Sequence, residues 1–285
     1  MKQIILTAFI LASLTAQDDF VGEIFEKGSI NYADRTIQAT GIGFIPVNVI
    51  NAGQARRSAM RIAKQDALRQ LIEIVNGVNV TSETTVSGAM FDDVIKTQVQ
   101  GAIRGARKVG EPKYLSDTSV EVVYEVSMNN ISRALLPMAE RAPVLSYESV
   151  TATGTAAAAG GQGGGAAAAP ASGGVTGIII DGSGLGLRPA MSPRILNQSG
   201  TVLYGPGQYD RDYAAANGVV GYAKTLGQAK ADTRVQGNPL VLRGASASGT
   251  AKTDVIISNT DAGKLVSAGR SAGLLQDCRI MFVLN

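Results

Sequence analysis

Asp181, Asp210 and Asp212 are the carboxylates whose type and spacing best suit acid–base chemistry in this 285-residue chain. Pairs of carboxylates act in glycosidases as acid and base or nucleophile, in clefts that grip a sugar ring. Residues 175–285 contain no Trp and one Phe, Phe282, so an aromatic-lined cleft is not expected there. Helix capping and surface ion pairing is the expected role of the three. Asp92 and Asp93 fall in the first turn of an expected helix, where they complement its dipole. Adjacent carboxylates on a helix point in different directions and do not chelate a cation. Gly182-Ser183-Gly184-Leu185-Gly186 follows a strand-like run, as phosphate-binding loops do. It lacks the GxGxxG spacing, and Arg188-Pro189 stands where a helix should begin, so a tight structural turn is expected.

The chain has no His and a single Cys, Cys278. Imidazole metal sites, Ser-His-Asp triads and Cys-His dyads are therefore excluded, as are intrachain disulfides and multi-thiolate zinc sites. Cys278 is expected as a small buried hydrophobe on a terminal strand. No catalytic, cofactor-binding or metal-binding residue is assigned, no cofactor is expected, and the expected protein is not an enzyme. Net charge is +3, and the longest basic run is Arg56-Arg57. Nucleic acid is thus not an expected partner.

Residues 1–16 carry Lys2, a short apolar core and a small residue, Ala16, ahead of Gln17-Asp18-Asp19. This is the pattern of a secretory signal peptide, too short for a comfortable membrane span. Residues 151–174 are almost wholly Ala, Gly, Thr and Ser and contain nothing large enough to bury. A Gly/Ala-rich linker over 147–174 is expected, dividing a first domain near 30–146 from a second over 175–285.

The first domain opens on a strand, Thr36 to Phe44, whose Gly41 and Gly43 signal close approach by a neighbouring backbone or helix. Gln54 to Asn76 is a helix with Met60, Ala63, Ala67, Leu71 and Ile74 on one stripe, and Gly77 as a left-handed cap. The cations at 56, 57, 61, 64 and 69 form its solvated face. A β-prone segment, Val78 to Val86, precedes a helix over 91–104. A hairpin over 106–115 and 118–128 turns at Ser116-Asp117, and a last helix spans 130–141.

In the second domain, strands are expected over 175–181, 240–242, 254–257 and 279–284, with a hairpin over 194–197 and 201–204. An Ala-rich helical stretch runs from Tyr209 to about Gln228, and another helix from Asn259 to about Arg270. A domain that begins and ends on strands should hold both termini in one sheet. The expected class is α+β, two sandwich-like domains, each a mostly antiparallel sheet with packed helices.

The segments ATGIGFIP, AGQARRSAMRIAKQDALRQLIEIVNGVNV, TSETTVSG, VIKTQVQGAIRGARKV and VEVVYEVSM, in that order over about residues 36–130, resemble the small outer-membrane lipoprotein family that includes FlgP. They are also similar to the N-terminal domain of the flagellar ring protein FlgT. The resemblance implies a structural domain of the periplasm or outer membrane that often assembles into rings or discs around a flagellar motor. The chain departs from the family in lacking the lipid-bearing cysteine and in carrying a large second domain. The resulting expectation is an exported structural protein of the bacterial envelope, periplasmic, outer-membrane-associated or extracellular. It would form homo-oligomers or dock on envelope or flagellar proteins, with no transmembrane span after leader removal. The alternative is a periplasmic module that binds cell-wall glycan through the second domain.

Overall fold

The computed structural model describes residues 20–45, 51–141 and 174–284. The expected leader over 1–16 and the expected linker over 147–174 lie outside the described residues, apart from Gly174.

Five antiparallel strands form the first sheet: β1 (Gly22–Phe25), β2 (Gly28–Asn31), β3 (Thr36–Gly43), β4 (Arg107–Tyr114) and β5 (Val120–Ser127), in the order β1-β2-β3-β5-β4. The long helix α1 (Ala52–Asn76) packs on one face. A Cβ on Gly41 would collide with the backbone of Ala63 and Ala67, and one on Gly43 with that of Ala59 and Ala63. Glycine on the strand and alanine on the helix thus let two backbones meet, as the strand glycines led us to expect. The opposite sheet face is half-solvated and holds a cross-strand row of Arg107, Glu125 and Gln38.

Helices α2 (Val86–Ala89), α3 (Asp93–Arg104) and α4 (Met128–Arg141) complete this unit. Asp92 caps α3 by accepting from the Val94 and Ile95 amides. Three expectations change. The unit begins near residue 20 rather than 30, because two four-residue strands precede β3. Gly77 is right-handed, at φ −82°, and donates to the Ile74 carbonyl instead of turning left-handed. The β-prone segment 78–86 is a loop that closes on itself, with one isolated bridge, Asn79 to Thr85, while its Asn79, Val80 and Ser82 carbonyls are taken by other parts of the chain.

The second sheet holds seven strands: β6 (Ile178–Asp181), β7 (Ile195–Asn197), β8 (Val202–Tyr204), β9 (Gly221–Ala223), β10 (Leu240–Ser248), β11 (Asp254–Ile257) and β12 (Ile280–Val283). Their order is β8-β7-β11-β10-β6-β12-β9. The α+β class holds, with one antiparallel and one mixed sheet. Where a mostly antiparallel second sheet was expected, β6 pairs parallel with β10 and β12, β12 with β9, and β11 with β7. Ile178-Ile179-Ile180 and Ile280 to Val283 are buried on both faces, the mark of parallel strands. The first and last strands of the unit, β6 and β12, are neighbours, as its ends implied.

Helices α5 (Arg211–Asn217), α6 (Leu226–Ala231) and α7 (Asn259–Ala272) connect these strands. The expected single helical stretch over 209–228 is two short helices with β9 between them. Ile179, Met281 and Val283 pack with Ala229 on one face of the sheet. Ile178, Ile180 and Phe282 join a core that continues through Tyr222 into Ile30, Ile37, Leu71 and Leu135 of the first unit. The two units therefore share one hydrophobic core. Among the described residues no helix is long and apolar enough to cross a membrane.

Candidate functional site between the two units

Besides the ion pairs Arg188–Glu23 and Arg211–Glu140, two polar clusters mark the ends of the line along which the units meet. At the first, the loop after α1 inserts into the second unit. The Met191 and Ser192 amides donate to the Asn79 and Val80 carbonyls at 2.9 and 2.8 Å, and the Ala251 amide to Ser82 at 3.0 Å. These three carbonyls are groups of segment 78–86 that its own turn does not use. Ser82 Oγ donates to Asp254 Oδ2 at 2.6 Å. Arg194 donates through Nε to the same oxygen at 2.8 Å and through its backbone amide to Oδ1 at 2.9 Å. Its Nη2 reaches Ser82 Oγ at 2.7 Å and Glu83 Oε1 at 3.0 Å. Ser82 and Asp254 are each only 1% exposed. Burial alone would depress the Arg194 guanidinium, but Asp254 and Glu83 outweigh it and hold the group above its ordinary value.

At the second end, among the described residues, neither Arg35 nor Arg234 meets a carboxylate at ion-pair distance. Arg35, on the turn between β2 and β3 with φ 56°, donates to the Ala216 and Ala215 carbonyls at 2.6 and 3.2 Å. Arg234, beyond α6, donates to the Gly218 and Cys278 carbonyls at 3.0 and 2.8 Å and to the Asn217 carbonyl. Between them the two guanidiniums cover the carbonyls that the end of α5 leaves without a helical partner. Burial, and then the neighbouring Arg234 charge, push the Arg35 guanidinium down to about 10, so it stays charged at neutral pH.

These two arginines line a cavity of about 240 Å³ together with Tyr32, Tyr222 and the exposed Arg279. A second cavity of about 610 Å³ adjoins it along β9 and α6, sharing Ala33, Tyr222 and Asp232. Tyr32 and Tyr222 meet edge to face at 5.7 Å. The Tyr222 hydroxyl is spent on the Ala190 carbonyl at 2.7 Å, and burial pushes it up from its ordinary value. The phenol is therefore a fixed wall of the cleft and not an acid at neutral pH.

The carboxylates singled out by sequence are not brought together. Asp181 sits at the C-terminal end of β6, where it accepts from Arg243 at 2.6 Å and from the Ser183 amide at 3.0 Å. Asp210 caps α5 by accepting from the Tyr213 amide, and its own amide bonds Gln276, ahead of β12. It thus lies beyond the opposite end of the parallel strands from Asp181, while Asp212 is in the first turn of α5. Among the described residues no three His, Cys, Asp or Glu side chains gather as a metal site. The loop from Gly182 to Gly186 runs on into irregular chain, not a helix, and its Ser183 amide is used by Asp181. Cys278 is fully buried, on the turn before β12 and not on the strand itself, with its thiol pushed up by burial.

Arg35, Arg194 and Arg234 went unmarked in the sequence because each is an isolated basic residue. The signal of their role is the long-range partner, which spacing cannot supply. The fold and cleft define a pair of α+β units fused through a shared core, with an arginine- and tyrosine-lined groove at their junction. The family described as the second domain of Treponema pallidum Tp0624 matches residues 177–285, which is the whole of the second unit from β6 to β12. No curated protein matches the chain.

Proposed function

We propose that this chain is an exported, non-enzymatic structural component of the bacterial cell envelope, acting by self-association or by docking on a larger envelope or flagellar assembly. The leader-like N-terminus supports export. The resemblance of residues 36–130 to FlgP-type lipoproteins and to the FlgT N-terminal domain supports an assembly role. The observation that carries the reading is the state of the first sheet's two edges. Strand β4 is blunted by a bulge between Val109 and Lys113, by Pro112, and by Arg107, Lys108 and Lys113. Strand β1 has neither bulge nor proline, its one charge, Glu23, is paired with Arg188 at 2.8 Å, and its Ile24 is 79% exposed beside a half-exposed Phe25. One sealed edge and one apolar open edge suit directional strand addition between subunits or onto a partner.

The test is light scattering and negative-stain microscopy on the chain without its leader. Assemblies larger than a monomer are expected at high concentration, and Ile24→Lys should dissolve them. A chain that stays monomeric at high concentration, with no envelope protein co-purifying, overturns the proposal. The glycan-binding alternative predicts retention on cell-wall glycan that is lost in Asp181→Ala. The Arg243 and Ser183 contacts of Asp181 give that carboxylate a structural occupation instead.

A further inference from the structure

Strand β9 closes the second sheet on the side that faces the cleft. The Leu284 amide donates to the Ala223 carbonyl, so the parallel ladder to β12 engages Gly221 and Ala223. In a parallel pair, alternate residues turn their N–H and C=O to opposite sides. The main-chain N–H and C=O of Tyr222 therefore point away from β12, where the sheet has no further strand among the described residues. Tyr222 is itself only 6% exposed and lines both cavities, so these groups address the cleft and not open water. A polar main chain so placed calls for a partner with its own alternating donors and acceptors.

The cleft is also electrically polarised along β9. Arg35, Arg234 and Arg279 line the cavity at the N-terminal end of the strand. The adjoining 610 Å³ stretch is lined by Asp34 and by Asp232, which stands at the boundary of the two cavities and lines both, and by no Lys or Arg among the described residues. Asp34 already accepts from Asn31 Nδ2 and Asp232 from the Arg234 amide, at 2.7 and 2.8 Å. Arg279 is exposed, and no partner for its guanidinium is found among the described residues. An anion is favoured at the arginine end and repelled along the rest.

We propose that this cleft binds the carboxyl-terminal segment of an extended peptide, which pairs antiparallel with β9 at Tyr222 and places its terminal carboxylate among Arg35, Arg234 and Arg279. The direction follows from the polarity, since the arginines stand at the end where β9 begins. Guanidinium groups take a planar carboxylate through paired hydrogen bonds, and strand addition with carboxylate capture is an established mode of peptide recognition. The adjoining cavity lies within the roughly 300–1,000 Å³ of ordinary ligand sites. The inference rests on the docking reading above and gives the docked partner a chemistry.

The experiment is an amide and arginine-side-chain NMR titration of the chain with N-acetyl-trialanine, against its C-terminal amide and against sodium acetate. The free acid should shift the Tyr222 amide and the Arg35, Arg234 and Arg279 side-chain signals together and saturably. Its amide should bind about tenfold more weakly or worse, the loss expected when charge-assisted hydrogen bonds go. Arg279→Ala should weaken the acid similarly while leaving the melting temperature in place, because that side chain holds no part of the fold. Three results would each overturn the proposal: equal binding of acid and amide, a Tyr222 amide that never moves, or acetate reproducing the whole pattern. None of them touches the light-scattering result, so failure here and failure of the assembly reading stay distinct.

Discussion

The two polar ends of the junction use the same side chain for opposite purposes. Arg194 is half-buried against the buried Asp254 and the more exposed Glu83, and its charge is matched by theirs. Arg35 and Arg234 are half-buried against main-chain carbonyls, which offer partial negative charge but no counter-ion. A buried cation with a carboxylate is complete, and losing either partner leaves an uncompensated charge. A buried cation with carbonyls alone has satisfied hydrogen bonds and a surplus positive potential, to which an external anion can respond. The first end therefore holds the units together, while the second holds the end of α5 and keeps a field pointing into the cleft.

Asp254→Ala should give the largest effect. It takes from the Arg194 guanidinium a carboxylate that is itself 1% exposed, and it leaves the Ser82 hydroxyl without the acceptor of its proton. A loss of about 3 kcal/mol is expected, toward the low end for breaking a buried pair because Glu83 stays in reach. In a protein of this size that lowers the melting temperature by roughly 6–12 °C. A loss below about 1 kcal/mol, the scale of exposed ion pairs, would show that the first end is no lock.

Arg35→Met should cost less, about 1–2 kcal/mol, read in the same denaturation experiment. It removes two hydrogen bonds to the end of α5 but also relieves a desolvated charge held close to Arg234. A loss equal to that of Asp254→Ala would erase the distinction between the two ends. Assembly through β1, which Ile24→Lys is expected to abolish, should be unaffected by either change at the junction, because β1 lies at the far edge of the first sheet from β4 and is not part of either polar end.

What the sequence reveals of this fold is what short-range repetition can encode. The stripe from Ala63 to Ile74 defines α1, and Gly41 and Gly43 announce its contact with β3. Alternation from Val120 to Met128 shows which side of β5 is wet. Strands β1, β2 and β9 escape because three or four residues do not establish a period, and Gly221-Tyr222-Ala223 sits in an Ala- and Gly-rich stretch that suits a helix equally well. The isoleucines of β6 and the apolar run of β12 did carry the mark of parallel strands, which nearby hairpin patterns obscured. The junction was not legible at all. Arg194 and Asp254 are 60 positions apart, and Arg35 finds its carbonyls 180 and 181 positions away. Only the packing of one unit on the other turns those isolated residues into two sites.

A third arginine–carboxylate pair isolates burial as the variable. Asp181 and Arg243 meet at 2.6 Å, as close as Arg194 and Asp254, but the Arg243 side chain is 61% exposed. Burial would raise the Asp181 carboxyl, but the Ser183 and Arg243 hydrogen bonds prevail and hold it below the ordinary carboxylate value. A carboxyl depressed on folding adds stability above its unfolded value of about 3.9, and that stability is lost as pH falls through the lower folded value. Asp181→Asn should therefore cost about 0.5–1 kcal/mol at pH 7, and the gap from the parent protein should close as pH falls below about 4. Denaturant titrations of both proteins at pH 7 and pH 3 measure it. A gap that persists at pH 3 would assign the effect to packing. One that matched Asp254→Ala at pH 7 would mean that distance, and not burial, sets the strength of these pairs.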